Sequence, residues 1–178
     1  MTDPWQFDIG ALAQAYAART LSPVEALGSV LARLDAVNPR INAVIARDDS
    51  AAFAAARESE RRWLRGAPLS ALDGVPISVK DNIPVAGMPC RWGSALYPAH
   101  AQLRDESPAQ RLRDAGALLF AKTNVPEFTL QGYTDNLVFG TTRNPWNTAL
   151  TPGGSSGGAV AAVAAGIGPA ALATDGGG

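Results

Sequence analysis

The chain has 178 residues, a formal net charge of −1 at neutral pH and 47% hydrophobic residues, values ordinary for one globular domain. A charge so close to zero leaves no electrostatic footprint for nucleic acid or for an anionic membrane surface. The single cysteine, Cys90, excludes an internal disulfide framework, and the absence of an apolar run of membrane-spanning length or a signal-peptide pattern predicts a cytoplasmic protein.

The first third of the chain predicts three helices and one short strand. The segment Ser22-Pro23-Val24-Glu25 is a capping box with proline at the first helical position, a combination typical of a helix start. Asp8 can cap an earlier helix, and an Ala-rich segment after Asp49 predicts a later one. The predicted elements are, in chain order, helix 8–19, helix 22–37, strand 41–46 and helix 50–65.

Short apolar runs alternate with helical segments over the rest of the chain. Two of the apolar runs, 75–79 and 118–121, each end at a lysine, Lys80 and Lys122. This alternation indicates an α/β layered fold in which helices cover a sheet. The further predicted elements are strand 75–79, helix 107–115, strand 118–121, helix 157–167 and strand 170–174.

The last predicted helix is apolar at every position from Ala159 to Ala165. Such a helix is expected to be buried on all sides, which requires packing layers around it. The strand after it runs directly into Asp175 and three glycines, where a folded domain rarely stops. We therefore expect residues 1–178 to be the incomplete, amino-terminal part of a single larger domain.

The segment Gly153-Gly154-Ser155-Ser156-Gly157-Gly158 precedes that helix and is either a flexible loop or a backbone cradle for a bound group. A P-loop fails because no lysine follows the glycines, and a dinucleotide-binding turn fails because no strand precedes them. The nucleophile elbow Gly-x-Ser-x-Gly matches twice, but its histidine must follow the serine, so this interpretation stays open only through a histidine in a missing carboxyl-terminal part. The only histidine, His100, lies upstream and is predicted to be a surface loop residue.

A serine without a histidine partner needs another base, and a buried lysine can serve because desolvation disfavours the ammonium form. Serine–lysine arrangements are a known variant of the catalytic triad. The chain has two lysines, Lys80 and Lys122, and both end apolar strands, so position alone does not separate them. An ion pair with Asp81 or another carboxylate is the alternative interpretation of Lys80.

Four segments resemble the amidase signature family, in order and spacing, and together they extend over most of the chain. The resemblance implies an α/β fold, an α/β/α sandwich around a mixed β-sheet, with a Ser–Ser–Lys triad. The segments are Gly74-Val75-Pro76-Ile77-Ser78-Val79-Lys80-Asp81-Asn82, Ala121-Lys122-Thr123-Asn124, Arg143-Asn144-Pro145-Trp146-Asn147 and Pro152-Gly153-Gly154-Ser155-Ser156-Gly157-Gly158.

The resemblance also implies roles for individual residues. Lys80 matches the base lysine, whereas Lys122 matches a position without a triad role. Ser155 matches the bridging serine, which lies at a cis peptide bond and relays a proton between the lysine and the nucleophile. Ser156 and Asp175 match supporting positions beside the triad.

In the family, the acyl-accepting serine directly follows an Asp-x-Gly-Gly motif, which here is Asp175-Gly176-Gly177-Gly178. The nucleophile would therefore be the residue after Gly178. The backbone N–H groups of Gly176, Gly177 and Gly178 would form most of the oxyanion hole. The resemblance thus implies an amidohydrolase that cleaves linear carboxylic amides through a serine acyl-enzyme, with no metal and no organic cofactor.

The expected partner is a small-molecule amide substrate, with no direct nucleic acid contact and no membrane, and a homodimer is left open. One alternative is the amidase subunit of a glutamine-dependent tRNA amidotransferase. Another is a catalytically incomplete fragment that only binds. Cys90 is predicted to be a small buried residue rather than a nucleophile.

Overall fold

The computed structural model describes residues 3–177. After the first helix, the helices and strands in this range alternate, as the sequence predicts. The helices are α1 (Ile9–Ala17), α2 (Pro23–Ile41), α3 (Asp49–Leu64), α4 (Ser107–Asp114) and α5 (Gly157–Ala164); the strands are β1 (Val44–Arg47), β2 (Pro76–Lys80), β3 (Leu118–Thr123) and β4 (Ala170–Leu172).

The predicted helix starts are confirmed by their caps. Asp8 Oδ1 accepts a hydrogen bond from the Ala11 N–H at 2.7 Å. At α2, Ser22 Oγ accepts from the Glu25 N–H at 3.2 Å, and the Ser22 N–H donates to Glu25 Oε2 at 2.8 Å. These bonds satisfy N–H groups that the first helical turn leaves without a partner.

The end of α2 differs from the prediction. The helix continues to Ile41, so the strand predicted from residue 41 begins at Val44. Pro39 lies in the last turn, where its missing N–H removes a single helical bond. The Asn38 side chain donates to the Val44 carbonyl and accepts from the Val44 N–H, both at 2.9 Å, which connects the helix end to the strand start.

The four strands form one mixed sheet in the order β1-β3-β2-β4. β1 is antiparallel to β3, whereas β2 is parallel to both β3 and β4. Along β3, Leu118 and Phe120 belong to a core with α2, α3 and α5, while Leu119 belongs to a second core with α1, α4 and β2. Alternate residues therefore pack on opposite faces, with helices on both sides of the sheet.

One prediction about α5 is wrong. Val160 is 56% exposed and Val163 is 38% exposed, so the helix is not buried on all sides by the residues described. Ala161 and Ala162 are buried, and they pack in the core that α5 shares with α2 and β3. A single sheet layer covers only one face of a helix, which explains the difference. No helix within residues 3–177 is long and apolar enough to cross a membrane.

Candidate active site

The parallel pairing of β2 with β4 places the candidate site at one edge of the sheet. Val79 of β2 pairs with Leu172 of β4, so Lys80 lies beside the segment that follows Leu172. Parallel strands present their carboxyl ends at the same edge, where α/β proteins commonly bind ligands. The glycine-serine segment reaches this edge because the Gly158 N–H donates to the Asn124 carbonyl, just beyond β3, at 3.2 Å.

Close backbone contacts explain two of the glycines in this segment. A Cβ atom on Gly158 would lie 2.4 Å from both the nitrogen and the oxygen of Asn124. A Cβ atom on Gly154 would lie 2.7 Å from the Gln131 carbonyl oxygen. A side chain at either position would therefore push the segment away from its neighbours. The peptide bond between Gly154 and Ser155 is cis, as the family resemblance implies.

Lys80 is fully buried, and the acceptors of its hydrogen bonds are hydroxyl and carbonyl groups. Its Nζ donates to Ser155 Oγ at 2.8 Å, to Thr174 Oγ1 at 2.8 Å and to the Thr174 carbonyl at 3.1 Å. Desolvation lowers the pKa of Lys80, while the negative charge of Asp175 opposes that shift. A lysine in this setting releases its proton more readily than one in water.

The alternative ion pair between Lys80 and Asp81 is not formed. Asp81 instead lies 3.8 Å from Lys122 Nζ, with both side chains buried. Burial raises the pKa of Asp81 to about 6, although Lys122 and the N–H groups of the following loop oppose the shift. One of those bonds runs from the Arg91 N–H to Asp81 Oδ2 at 3.0 Å. Lys122 also donates to the Ile83 carbonyl, and burial lowers its pKa, although the charge of Asp81 opposes the shift.

The other predicted site residues lie close by. Ser156 Oγ donates to the Thr174 carbonyl at 3.1 Å, so Ser156 shares this acceptor with Lys80. Asp175 Oδ1 accepts from the Gly177 N–H at 3.0 Å, so that N–H is already engaged in this structure. Gly176 and Gly177 are exposed. Gly178 lies outside the described residues.

Thr174 and Asn82 belong to the site but are absent from the sequence-based set. Thr174 accepts hydrogen bonds from Lys80, and Asn82 Nδ2 donates to Thr174 Oγ1 at 3.0 Å. Both are polar residues just beyond the ends of parallel strands, the same position that singled out Lys80. Reading the strand ends together, rather than the lysines alone, would have found them.

Two other candidates are separate from this chemistry. His100 is exposed, as predicted. Cys90 is buried and donates to the Asp81 carbonyl at 2.9 Å, and burial raises the pKa of its thiol to about 11, which disfavours the reactive thiolate. No group of three or more His, Cys, Asp or Glu side chains within residues 3–177 could hold a metal ion.

The fold and the Lys80–Ser155 contact define a class: α/β proteins in which a serine is paired with a buried lysine instead of a histidine. The model of the amidase family matches residues 25–178. The chain belongs to the amidase signature family.

The relatives include an amidotransferase subunit and a hydrolase. A glutamyl-tRNA(Gln) amidotransferase subunit from Chloroflexus aggregans is 42% identical over 178 residues, which are 100% of this chain and 36% of that protein. Indoleacetamide hydrolase from Bradyrhizobium diazoefficiens is 40% identical over 174 residues, 98% of this chain and 33% of that protein. The chain thus spans about a third of the length of these curated relatives.

Solved structures show the same similarity. A 6-aminohexanoate cyclic dimer hydrolase in complex with its substrate superposes with a TM-score of 0.84 and 37% identity. The match covers 96% of this chain and 34% of that one. An identity of 37% indicates that the two chains share a family as well as a fold.

Proposed function

We propose that this chain provides the base and the proton relay of an amidase that hydrolyses a carboxylic amide to an acid and ammonia or an amine. The observation that carries the proposal is the 2.8 Å hydrogen bond between Lys80 Nζ and Ser155 Oγ. Lys80 is fully buried there, which favours the neutral amine that a base requires. Membership in the amidase family supports the same chemistry.

In the proposed mechanism, neutral Lys80 takes a proton from Ser155, which takes one from a serine that follows Gly178. That serine attacks the amide carbonyl carbon and forms a tetrahedral intermediate. Lys80 then returns its proton through Ser155 to the leaving nitrogen, and the C–N bond breaks to leave an acyl-enzyme. Water, deprotonated by the same relay, releases the acid and restores the serine.

We assign the backbone N–H groups of Gly176, Gly177 and Gly178 to the oxyanion. Removing one such donor typically costs about 100–1,000-fold in rate. The Gly177 N–H donates to Asp175 in this structure, so oxyanion binding at that position requires this bond to break. Asp175 then remains near Lys80, where its charge acts on the lysine pKa.

We also propose that residues 1–178 are the amino-terminal part of a single amidase domain. The chain spans 36% of the length of one relative and 33% of another. The exposed valines of α5 support this proposal, because an apolar helix face is normally covered by a further layer. The substrate and the partners belong to that whole protein.

The test replaces Lys80 in a protein that contains the proposed serine. Lys80→Met is expected to lower kcat/KM for a small amide by about 1,000-fold, because the general base is lost. Ser78→Ala is the matched control: its hydroxyl lies in the same strand, is buried and has no hydrogen-bond partner within residues 3–177. A folded Lys80→Met variant with unchanged kcat/KM would remove Lys80 from the mechanism.

A second candidate is the amidase subunit of a tRNA-dependent amidotransferase, favoured by the identity of 42% to a subunit of such an enzyme. In that case the protein would release ammonia from glutamine and would co-purify with a second subunit. Hydrolysis of varied amides by the isolated protein would contradict it. Failure of a fluorophosphonate probe to label the proposed serine would instead favour a fragment that only binds.

A further inference from the structure

We propose that Thr174 is a positioning residue that holds Lys80 against Ser155, and that Asn82 holds the Thr174 hydroxyl in place. The catalytic role of this positioning rests on the proposed function, whereas the hydrogen bonds of Thr174 and Asn82 do not depend on it. Thr174 lies two residues beyond β4 and Asn82 lies two residues beyond β2, so the pairing of those strands brings them together.

Four hydrogen bonds meet at Thr174. Its hydroxyl accepts from Lys80 Nζ at 2.8 Å and from Asn82 Nδ2 at 3.0 Å. Its carbonyl accepts from Lys80 Nζ at 3.1 Å and from Ser156 Oγ at 3.1 Å. Thr174 therefore contacts both Lys80 and Ser156. It also directly precedes the segment Asp175–Gly177 in the chain.

The hydrogen-bond capacity of Lys80 shows what Thr174 does. An ammonium group has three N–H donors, and the three acceptors within reach are Ser155 Oγ, Thr174 Oγ1 and the Thr174 carbonyl. A neutral amine has two N–H donors and one lone pair. When Thr174 accepts both N–H groups, the lone pair faces Ser155 and can accept its hydroxyl proton.

Asn82 has one side-chain contact that explains its place. Its Nδ2 donates to Thr174, while its Oδ1 is buried without a hydrogen-bond partner among residues 3–177. The bond from Nδ2 to Thr174 is therefore the side-chain hydrogen bond that orients the Asn82 amide among residues 3–177. Asn82 thus restrains the Thr174 hydroxyl through this one bond.

The neighbouring charges are constant in the test. Asp175 is the charged group that acts on Lys80 among residues 3–177, and it raises the lysine pKa. Asp81 and Lys122 face each other 3.8 Å apart. None of these three residues is altered in the variants below.

The experiment measures the pKa of Lys80 by NMR titration of lysine labelled with ¹³C at Cε. The Lys80 resonance is the one missing from the spectrum of Lys80→Met. Thr174→Val removes an acceptor from the ammonium form, so we expect the Lys80 pKa to fall by about one unit. Thr174→Ser should restore it, and Asn82→Ala should lower it by a smaller amount.

Thr123→Val is the matched control, because Thr123 pairs with Lys80 across β2 and β3 and its buried hydroxyl has no partner among residues 3–177. An unchanged Lys80 pKa in Thr174→Val, or no recovery in Thr174→Ser, would overturn the assignment of Thr174. An unchanged pKa in Asn82→Ala would overturn that of Asn82. Thr174 is exposed, so Thr174→Ala provides a second variant should the valine disturb folding.

The titration needs no turnover, so it separates this proposal from the proposed function. If the wild-type protein hydrolyses no amide but Thr174→Val shifts the Lys80 pKa, the proposed function fails and the positioning role stands. In an active protein, Thr174→Val should also lower kcat/KM by about 10-fold and move its acid limb to lower pH with the Lys80 pKa. A general loss of packing would not move that limb.

Discussion

Two buried lysines at neighbouring strand ends have different surroundings, and those surroundings separate their chemistry. Lys80 meets hydroxyl groups and a carbonyl, so either of its protonation states can be satisfied. Lys122 meets the Asp81 carboxylate and the Ile83 carbonyl, so its amino group is held by these two partners and not by hydroxyl groups, although burial lowers its pKa as well. The sequence places both lysines at strand ends but does not show the partners, because those come from segments far along the chain.

At the same scale, the pH dependence of activity should report Lys80. The protonated lysine cannot accept the Ser155 proton, so kcat/KM should fall as pH drops through the Lys80 pKa. Burial lowers that pKa below its ordinary value, which extends activity to lower pH than an exposed lysine would allow. The measurement is kcat/KM for a small amide from about pH 5 to 10.

Lys80→Arg is the control for this profile, because a guanidinium stays charged throughout the range. We expect no activity in that variant at any pH. An acid limb at or above the ordinary lysine pKa of about 10.4 would contradict the lowered value.

At the scale of elements, two helical glycines should respond in opposite ways to alanine. In α5, a Cβ atom on Gly158 would lie 2.4 Å from backbone atoms of Asn124, so Gly158→Ala should cost about 2 kcal/mol or more in the free energy of unfolding. In α2, a Cβ atom on Gly28 would meet nothing within 4 Å. Gly28→Ala should therefore stabilise the protein by up to about 1 kcal/mol.

Urea unfolding of the two variants beside the wild-type protein provides the measurement. Both substitutions add one methyl group to a helix, so helix propensity alone predicts the same sign for both. Equal effects at the two positions would show that the contact of α5 with the end of β3 is not needed for stability.

The elements themselves are largely predictable, and their ends less so. The capping box at Ser22 and the apolar strands before Lys80 and Lys122 are local signals, and the structure confirms each of them. The end of α2 depends on the Asn38 side chain, whose bonds to Val44 form only when the next strand is in place. Helix ends of this kind depend on tertiary contacts that a local pattern does not contain.

At the scale of the whole molecule, the outer face of α5 should distinguish the 178-residue chain from a longer protein that completes the proposed domain. Val160 is 56% exposed, so Val160→Asp in the 178-residue chain should change the free energy of unfolding by less than about 0.5 kcal/mol. In the longer protein, a covering layer would bury the new charge, and the cost should rise to several kcal/mol.

Ala162→Asp is the reference variant, because Ala162 is buried in the 178-residue chain and should be costly in both proteins. Chemical denaturation of the two lengths compares them directly. A Val160→Asp substitution that stays mild in the longer protein would contradict the proposal that further chain covers α5.

The layered α/β architecture follows from the alternation of elements, whereas the geometry of the site does not. The sequence identifies Lys80 and Ser155 through the family resemblance, and the structure brings them within 2.8 Å of each other. Thr174 and Asn82 are missed when residues are judged by type, because neither type is unusual at a strand end, whereas a comparison of the strand ends would have named them as candidates. Their importance comes from strand order, which sets residues 92 positions apart beside each other.

The pairing of β2 with β4 has a consequence for how folding could be followed. Lys80 and Thr174 are 94 residues apart in sequence, and they meet only when the carboxyl-terminal strand has joined the sheet. The environment of a single amino group thus changes with the most distant strand pairing in the molecule. The NMR signal of an isotope label on that lysine would therefore report when β4 joins β2 during folding. The measurement needs no substrate.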